Sequence, residues 1–361
     1  FAMADVLVVG GGIVGLLSAL NLSDRGLSVT VIDAGGQRPP ASWAGGGILS
    51  PLFAWRYPDP MNRLSHDATA RYRALVDRLQ GKAGLCASDL HHSGLWVAVD
   101  GDERRQALRW ASDWGLSCRD APLSGHLSAA PERQGVWFPE IGNLRNPRLL
   151  KALRATLVGQ GVTFVNAAVN AVRPAARGAE LTLSRGGTLS APRVLLCAGA
   201  WTPALLAPLG VRLPLFPAKG EMLLYRLPPG RVPTIVLTDQ GYLIPRADGA
   251  VLAGSTLNPG DATTYPTVTG RWALQAMAAS LLPELASVTP SHHWAGVRPG
   301  SDRDWPYLGP VPGTRGVFAA AGLHRNGLVA APASAELLVR LMCGETPSLD
   351  PAAYSLSGAP S

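Results

Sequence analysis

Val6-Leu7-Val8-Val9-Gly10-Gly11-Gly12-Ile13-Val14-Gly15 is the stretch on which the fold of this chain turns. From 5 to 9 the sequence is a short continuous apolar run, the pattern of a strand buried on both faces of a parallel sheet. Glycines follow at once, and from 13 to 25 the apolar spacing is helical, closed by Gly26. Residues 28–32 read as a second strand ending on Asp33, so that 5–33 has the length of one βαβ unit. Gly10, Gly12 and Gly15 fit G-x-G-x-x-G: the first allows a tight turn, the second lets the backbone approach a pyrophosphate, and the third lets helix and strand pack closely. The helix N-terminus then offers free N–H groups and a positive dipole to the phosphates. Asp33 stands eighteen residues beyond Gly15, where a carboxylate accepts hydrogen bonds from a ribose diol. These features predict a dinucleotide site, and the turn alone does not separate FAD from NAD.

Composition sets the frame around this unit. At 361 residues the chain exceeds what one hydrophobic core normally fills, which predicts two lobes or an enlarged α/β unit. Apolar residues make up 47% and charged residues 16%, with 41 glycines and 31 prolines, the profile of a folded chain rich in tight turns. The formal charge is +7, but the basic residues are nearly all arginine and are scattered, which argues against nucleic acid. Cys86, Cys118, Cys197 and Cys343 are far apart, without a C-x-x-C, and read as free thiols of a cytoplasmic protein. The histidine pairs His91-His92 and His292-His293 are adjacent residues whose side chains diverge, so no metal is expected. The apolar N-terminal stretch has no basic leader and is broken by glycine, so no signal or membrane segment is expected either. Phe1-Ala2-Met3 reads as a remnant ahead of the native start.

Further along, 41–60 reads as a Gly/Pro/aromatic loop and 62–80 as a helix ending at Gly81. From Gly94 the texture changes to short apolar runs at 95–99, 136–138, 221–226, 242–245 and 251–254, which suggest antiparallel strands. Between them, 146–158 reads as a helix with Asn146 as its cap and Pro147 at its first position, and 163–166 and 193–198 as strands of the first lobe. The expected fold is α/β: a Rossmann-like nucleotide-binding domain made of 4–85, 145–212 and 295–361, interleaved with an antiparallel-sheet domain made of 86–144 and 213–294. An N-terminal nucleotide lobe interrupted twice is an arrangement more usual for FAD than for NAD proteins, an analogy at the level of the fold.

With these residues in place, the chain resembles the D-amino acid oxidase superfamily of flavoproteins, and within it the glycine oxidases of thiamine biosynthesis. The motifs that carry the resemblance are G-G-G-I-V-G-L at the start, A-S-W-A-G-G-G-I-L-S-P at 41–51, C-A-G-A-W-T-P at 197–203 and P-A-K-G-E-M at 217–222. Further on come Y-L-I-P-R at 242–246, W-A-G-V-R-P-G at 294–300 and A-A-G-L-H-R-N-G-L-V-A-A-P at 320–332.

The resemblance implies FAD held by Gly10, Gly12, Ile13, Val14, Gly15 and Asp33, and by the loop Ser42, Trp43, Ala44, Gly46, Gly47, Ile48 and Leu49. It places Val172 by the adenine, and Ala198, Gly199, Trp201, Arg298, His324 and Arg325 against the cofactor. Asn326, Gly327 and Leu328 would present N–H groups to the flavin's pyrimidine edge, where negative charge grows on reduction. Arg298 matches the arginine that clamps a substrate carboxylate with its two-pronged fork, Tyr242 the tyrosine that supports it, and Arg325 lines the pocket beside them. Covalent attachment of flavin needs a cysteine that 296–310 lacks, so dissociable FAD is expected.

The implied activity is hydride removal from glycine, sarcosine or small D-amino acids, with an oxo acid, ammonia and hydrogen peroxide as products and dioxygen as partner. A dehydrogenase of D-amino or imino acids that feeds a quinone is the alternative, and a non-catalytic nucleotide-binding protein the third reading. Gln240, Leu257 and Trp43 with Gly45 to Gly47 depart from the glycine oxidase pattern and leave the preferred amine open. The sequence leaves a homo-oligomer open as well.

Overall fold

The computed structural model describes residues 3–35 and 41–358; positions 36–40 and 359–361 of the expected domains, with Phe1 and Ala2, lie outside the described residues. The opening βαβ unit forms as expected, with strands Val6–Val9 and Val29–Asp33 joined by helix Ile13–Asp24. Val6–Val9 is central in a six-stranded sheet, flanked in parallel by Val29–Asp33 and Arg193–Leu196. Thr163–Asn166 and Val317–Ala321 extend the parallel run at either side, and Tyr307–Pro310 closes one edge antiparallel.

Both faces of this sheet are covered, which is why its central strands read as unbroken apolar runs. Val6 and Val8 point into a core shared with helices Ile13–Asp24, Asn146–Gly159 and Gly327–Met342. Leu7 and Val9 point into the opposite core, roofed by the antiparallel sheet of Val169–Pro174, Ala179–Leu183 and Thr188–Ala191.

A nine-stranded sheet makes the second layer. Its long strand Leu215–Arg226 pairs antiparallel with Ala250–Gly254 over one part of its length and with His292–Ser301 over nearly all of it. The expectation of antiparallel strands is corrected at one junction, where Leu95–Ala98 runs parallel to Ile235–Thr238.

Other local expectations are also corrected. The helix expected over 62–80 is two, Asp59–Ser65 and Ala68–Leu79, because Ser65, His66 and Asp67 put three poor helix formers in succession. The loop expected over 41–60 contains a helical turn at Ala41–Ala44 and another at Ala54–Arg56. Helices Gly101–Asp113 and Val268–Leu281 and the strand His292–Ser301 were not foreseen; the last holds Gly296, Pro299 and Gly300, which read as loop residues in isolation.

Leu195 is wholly buried in the strand between Val6–Val9 and Val317–Ala321. Leu195→Ala is expected to lower the stability of the protein by about 2–5 kcal/mol through the cavity it leaves, measured as a shift of the denaturant midpoint at constant slope.

Candidate active site

A cavity open to solvent runs from the glycine turn to Tyr242 and Arg298. At its first end Gly10 takes φ +114°, and a Cβ there would lie 2.2 Å from the carbonyl oxygen of Cys197 on the neighbouring strand. A Cβ on Gly15 would lie 2.1 Å from the oxygen of Gly10 and 3.1 Å from Cys197 Sγ, so the third glycine lets helix and strand touch and stands behind the wall. Helix Ile13–Asp24 opens on Gly12 with no side-chain cap, which leaves N–H groups of its first turn for an anion. Ile13 N donates to Ser42 Oγ at 3.0 Å and ties this turn to the next loop. Asp33 lines the cavity, and its Oδ2 accepts from Arg154 Nη2 at 2.7 Å.

The 42–49 loop is held from behind. Asn146, expected to cap its helix, sits inside it instead, with Arg145 at the cap position and no side-chain cap there. Its buried Nδ2 donates to the carbonyls of Ser42, Trp43 and Gly45, because those three carbonyls have no regular partner in the loop. Arg246 Nη2 donates to Asn146 Oδ1 at 3.3 Å and Nη1 to Asn143 Oδ1 at 2.6 Å. Ser42, Gly46, Gly47 and Ile48 line the cavity. Trp43, Ala44 and Leu49 do not: Trp43 is exposed and edge-on to Trp294, Ala44 accepts from Trp294 Nε1 through its carbonyl, and Leu49 is buried in the core.

Val172 stands apart from the cavity wall. Its side chain is buried under the three-stranded sheet, and Val169, three residues earlier on the same strand, reaches the cavity with Ala167 and Ala168. Ala198, Gly199 and Trp201 line the wall. So do His324, Arg325, Gly327 and Leu328, whereas Asn326 is buried behind them with its N–H on the carbonyl of Leu323.

At the far end Arg298 Nη2 donates to Ser255 Oγ at 2.7 Å and Nη1 to the carbonyl of Thr256 at 3.3 Å. Burial pushes the Arg298 pKa down and Arg325 adds to this, while the neighbouring Tyr242 hydroxyl opposes it. Tyr242 donates to Met222 Sδ at 3.4 Å. A second cavity adjoins this end and shares Leu52, Tyr242, Ser255 and Arg325 with the first. Arg56, Asp239, Gln240 and Asp304 line its outer part. Ser50, Leu52, Ser255, Val297 and Pro299 on these walls escaped the sequence reading; the last two flank the arginine inside a motif that had already been noticed.

Among the described residues no group of three or more His, Cys, Asp or Glu could hold a metal, and no helix is long and apolar enough to cross a membrane. The residues present fit a dinucleotide instead: an uncapped helix end, a carboxylate at the tip of the second strand, and a long, largely apolar trough with polar groups at its ends. His324 also stands here at φ +51°, a conformation uncommon outside glycine, and its buried Nδ1 has no partner among the described residues.

Burial, with Arg325 and Arg298 nearby, pushes the His324 pKa down from 6.5 to about 4. Between these values the unfolded chain binds a proton that the folded chain does not, so stability falls as pH drops through this window and levels off below it. His324→Asn is therefore expected to flatten the pH dependence of the denaturant midpoint between about 6.5 and 4. Superimposable profiles of parent and variant would show that His324 is not held neutral.

Comparison with known proteins agrees with this geometry. A model of the DAO family, FAD dependent oxidoreductase, matches residues 5–341. The chain is similar to glycine oxidase of Pseudomonas aeruginosa, 42% identical over 98% of either chain, and to glycine oxidase of Pseudomonas putida, 39% identical over 98% of either. Its fold is similar to the crystal structure of glycine oxidase from Geobacillus kaustophilus, with a TM-score of 0.92, 26% identity and full coverage of both chains. A cavity shaped for a dinucleotide, and a family match over nearly its whole length, place this chain in the DAO family of FAD-dependent oxidoreductases.

Proposed function

We propose that this protein oxidises glycine and other small amines that carry a carboxylate, sarcosine and small D-amino acids among them, to the oxo acid, ammonia and hydrogen peroxide. The observation that carries the reading is the placement of Arg298 beside Tyr242 at one end of a continuous cavity whose other end is the glycine turn. The likeness to proteins named glycine oxidase supports the choice of amine.

When bound, FAD supplies the hydride acceptor that dioxygen reoxidises. The chain's own work is to hold both ends. Gly10 to Val14, Ser42 and Asp33 would take the dinucleotide end, and Gly327 and Leu328 would offer their N–H groups to the ring edge where charge grows on reduction. Arg298 binds the carboxylate with its fork, Tyr242 steadies that fork, and Arg325 adds a second positive charge that draws the anion in. Orientation then supplies most of the rate, since a neutral amine loses its α-hydrogen without a strong base nearby. In this reading 4–85, 145–212 and 295–361 hold the cofactor, 86–144 and 213–294 the substrate, and FAD is held without a covalent bond in the cytoplasm. A role in making the thiamine thiazole follows from the same likeness.

One observation favours the alternative dehydrogenase. Tyr265, Val268 and Trp272 are 63%, 65% and 68% exposed around the start of helix Val268–Leu281, an apolar face of the kind that meets a quinone-bearing membrane. Mixing the FAD-loaded protein with glycine, sarcosine or D-alanine in air decides between the two. Flavin bleaching with peroxide is the expected result. Bleaching without peroxide selects the dehydrogenase, and no bleaching by any amine removes both.

Arg298→Ala is expected to raise KM for glycine by about a hundredfold or more, the cost of removing one partner of a buried charge pair, with FAD still bound; an unchanged KM refutes the clamp. Asn146→Ala removes the donor to three loop carbonyls. At about 1 kcal/mol per net hydrogen bond, it is expected to raise the FAD dissociation constant by at least about tenfold, read by flavin fluorescence on dilution.

A further inference from the structure

Ser255 stands where the inner and outer cavities meet and lines both. It follows the strand Ala250–Gly254 and is held in a defined place from both sides. Its neighbour Thr256 accepts from Glu221 N through Oγ1 at 2.9 Å. The wholly buried Glu221 carboxylate in turn accepts from Thr267 N at 2.7 Å, from Thr267 Oγ1 at 2.8 Å, and faces His293 Nε2 at 2.9 Å. On the other side the guanidinium of Arg298 lies flat over Gly220, where an added Cβ would sit 2.2 Å from Nη2 and 2.3 Å from Nη1. Arg298 is thus confined between the Gly220 backbone and the Ser255-Thr256 acceptors.

A serine hydroxyl has one proton to give and room to accept two. Arg298 Nη2 uses one acceptor position, at 2.7 Å. The hydroxyl donates no hydrogen bond to another of the described residues. The hydroxyl therefore carries a free donor at the cavity wall, next to the guanidinium that fixes its oxygen. A carboxylate has about four lone-pair sites, of which an arginine fork takes two, so a further donor at the same place finds an acceptor. The amine nitrogen is a poor alternative, because a donor there would tie up the lone pair that must flow into the new carbon–nitrogen bond as hydride leaves.

We infer that Ser255 donates its hydroxyl proton to the substrate carboxylate, as a third anchor beside Arg298 and Tyr242. This rests on the amine-carboxylate oxidation proposed above. It assigns the junction of the two cavities to the acid group, and leaves the outer cavity, lined by Arg56, Asp239, Gln240 and Asp304, to whatever substituent the substrate carries.

The test uses the full FAD-loaded chain and four variants: Ser255→Ala, Ser255→Thr, Arg298→Lys, and Ser255→Ala combined with Arg298→Lys. KM and kcat are measured with glycine, and the dissociation constant of acetate, an unreactive carboxylate, from the change it causes in flavin absorbance. A hydrogen bond to a charged group predicts that Ser255→Ala raises both KM and the acetate constant about ten- to a hundredfold, with kcat little changed. Ser255→Thr, which keeps the hydroxyl, is expected to stay near the parent. The same loss is expected when Ser255→Ala is placed on Arg298→Lys, since the contact is with the ligand. If the loss disappears on that background, Ser255 acts only by posing the arginine and the inference is overturned. An acetate constant unchanged by Ser255→Ala but raised by Arg298→Lys overturns it too. Acetate binding indifferent to both residues instead sinks the clamp itself, and with it the reading on which the inference rests.

Discussion

Arg246 carries its charge in the interior, beyond ion-pairing distance of any carboxylate among the described residues, between the nine-stranded sheet and the start of helix Asn146–Gly159. It follows the strand Gly241–Pro245 of the nine-stranded sheet, and its two Nη atoms end on the amide oxygens of Asn143 and Asn146. Burial, aided by Arg145, pushes its pKa down to about 9, while Asp248 and Asp89 oppose the fall from a distance. Leaving such a cation unsatisfied would cost several kcal/mol, so its two amide partners are constrained to face it. Asn146 must then turn its Nδ2 the other way, onto the carbonyls of the 42–45 segment. That segment in turn gives Ser42 Oγ to the first turn of helix Ile13–Asp24. One run of hydrogen bonds thus connects the substrate-side sheet to the phosphate-side turn, and neither end moves without straining the other.

The charge distribution along the cavity follows the same economy. Positive charge is concentrated at the far end in Arg298 and Arg325, and with burial these two charges push the pKa of the adjacent His324 down. At the near end the formal charge is the carboxylate of Asp33, shared with Arg154 at the rim. A ligand with hydroxyls and phosphates at one extremity and an acid at the other meets complementary groups at each.

How much of this was legible in the sequence depends on whether the cause is local. The glycine turn, its strand and helix, and Asp33 are consecutive, so pattern and spacing suffice, and the structure keeps them within a residue or two of their expected bounds. Asn146 misled because a cap residue and a tether look alike in sequence: both are asparagines before a proline at a helix start. Val169 and Val172 look alike in sequence, and only the folded strand shows that Val169 is the one on the cavity wall. Ser255 and Leu52 left no signal, since a small residue after a strand becomes part of a wall only when two distant segments fold against it.

The same distinction bears on where relatives of this chain can differ. The cofactor end is built from glycines in contact with neighbouring backbone, where even one methyl group would overlap another chain segment, so substitution there disturbs the fold itself. The far end is built from side chains on five separate segments, around 52, 242, 255, 298 and 325. Of the positions that depart from the glycine oxidase pattern, Leu257 and Trp43 prove to lie off the cavity wall and partly in solvent, Gln240 lines only the outer cavity, and Gly45 to Gly47 line the inner one. The departure at Gln240 therefore falls where a substituent on the amine would extend, whereas that at Gly46 lies beside Tyr242 and leaves room there. Variation in substrate choice is the expected consequence, because one methylene more or less in such a pocket changes discrimination by only about 1–3 kcal/mol, whereas the loss of the buried arginine would remove the common anchor of every substrate in the class.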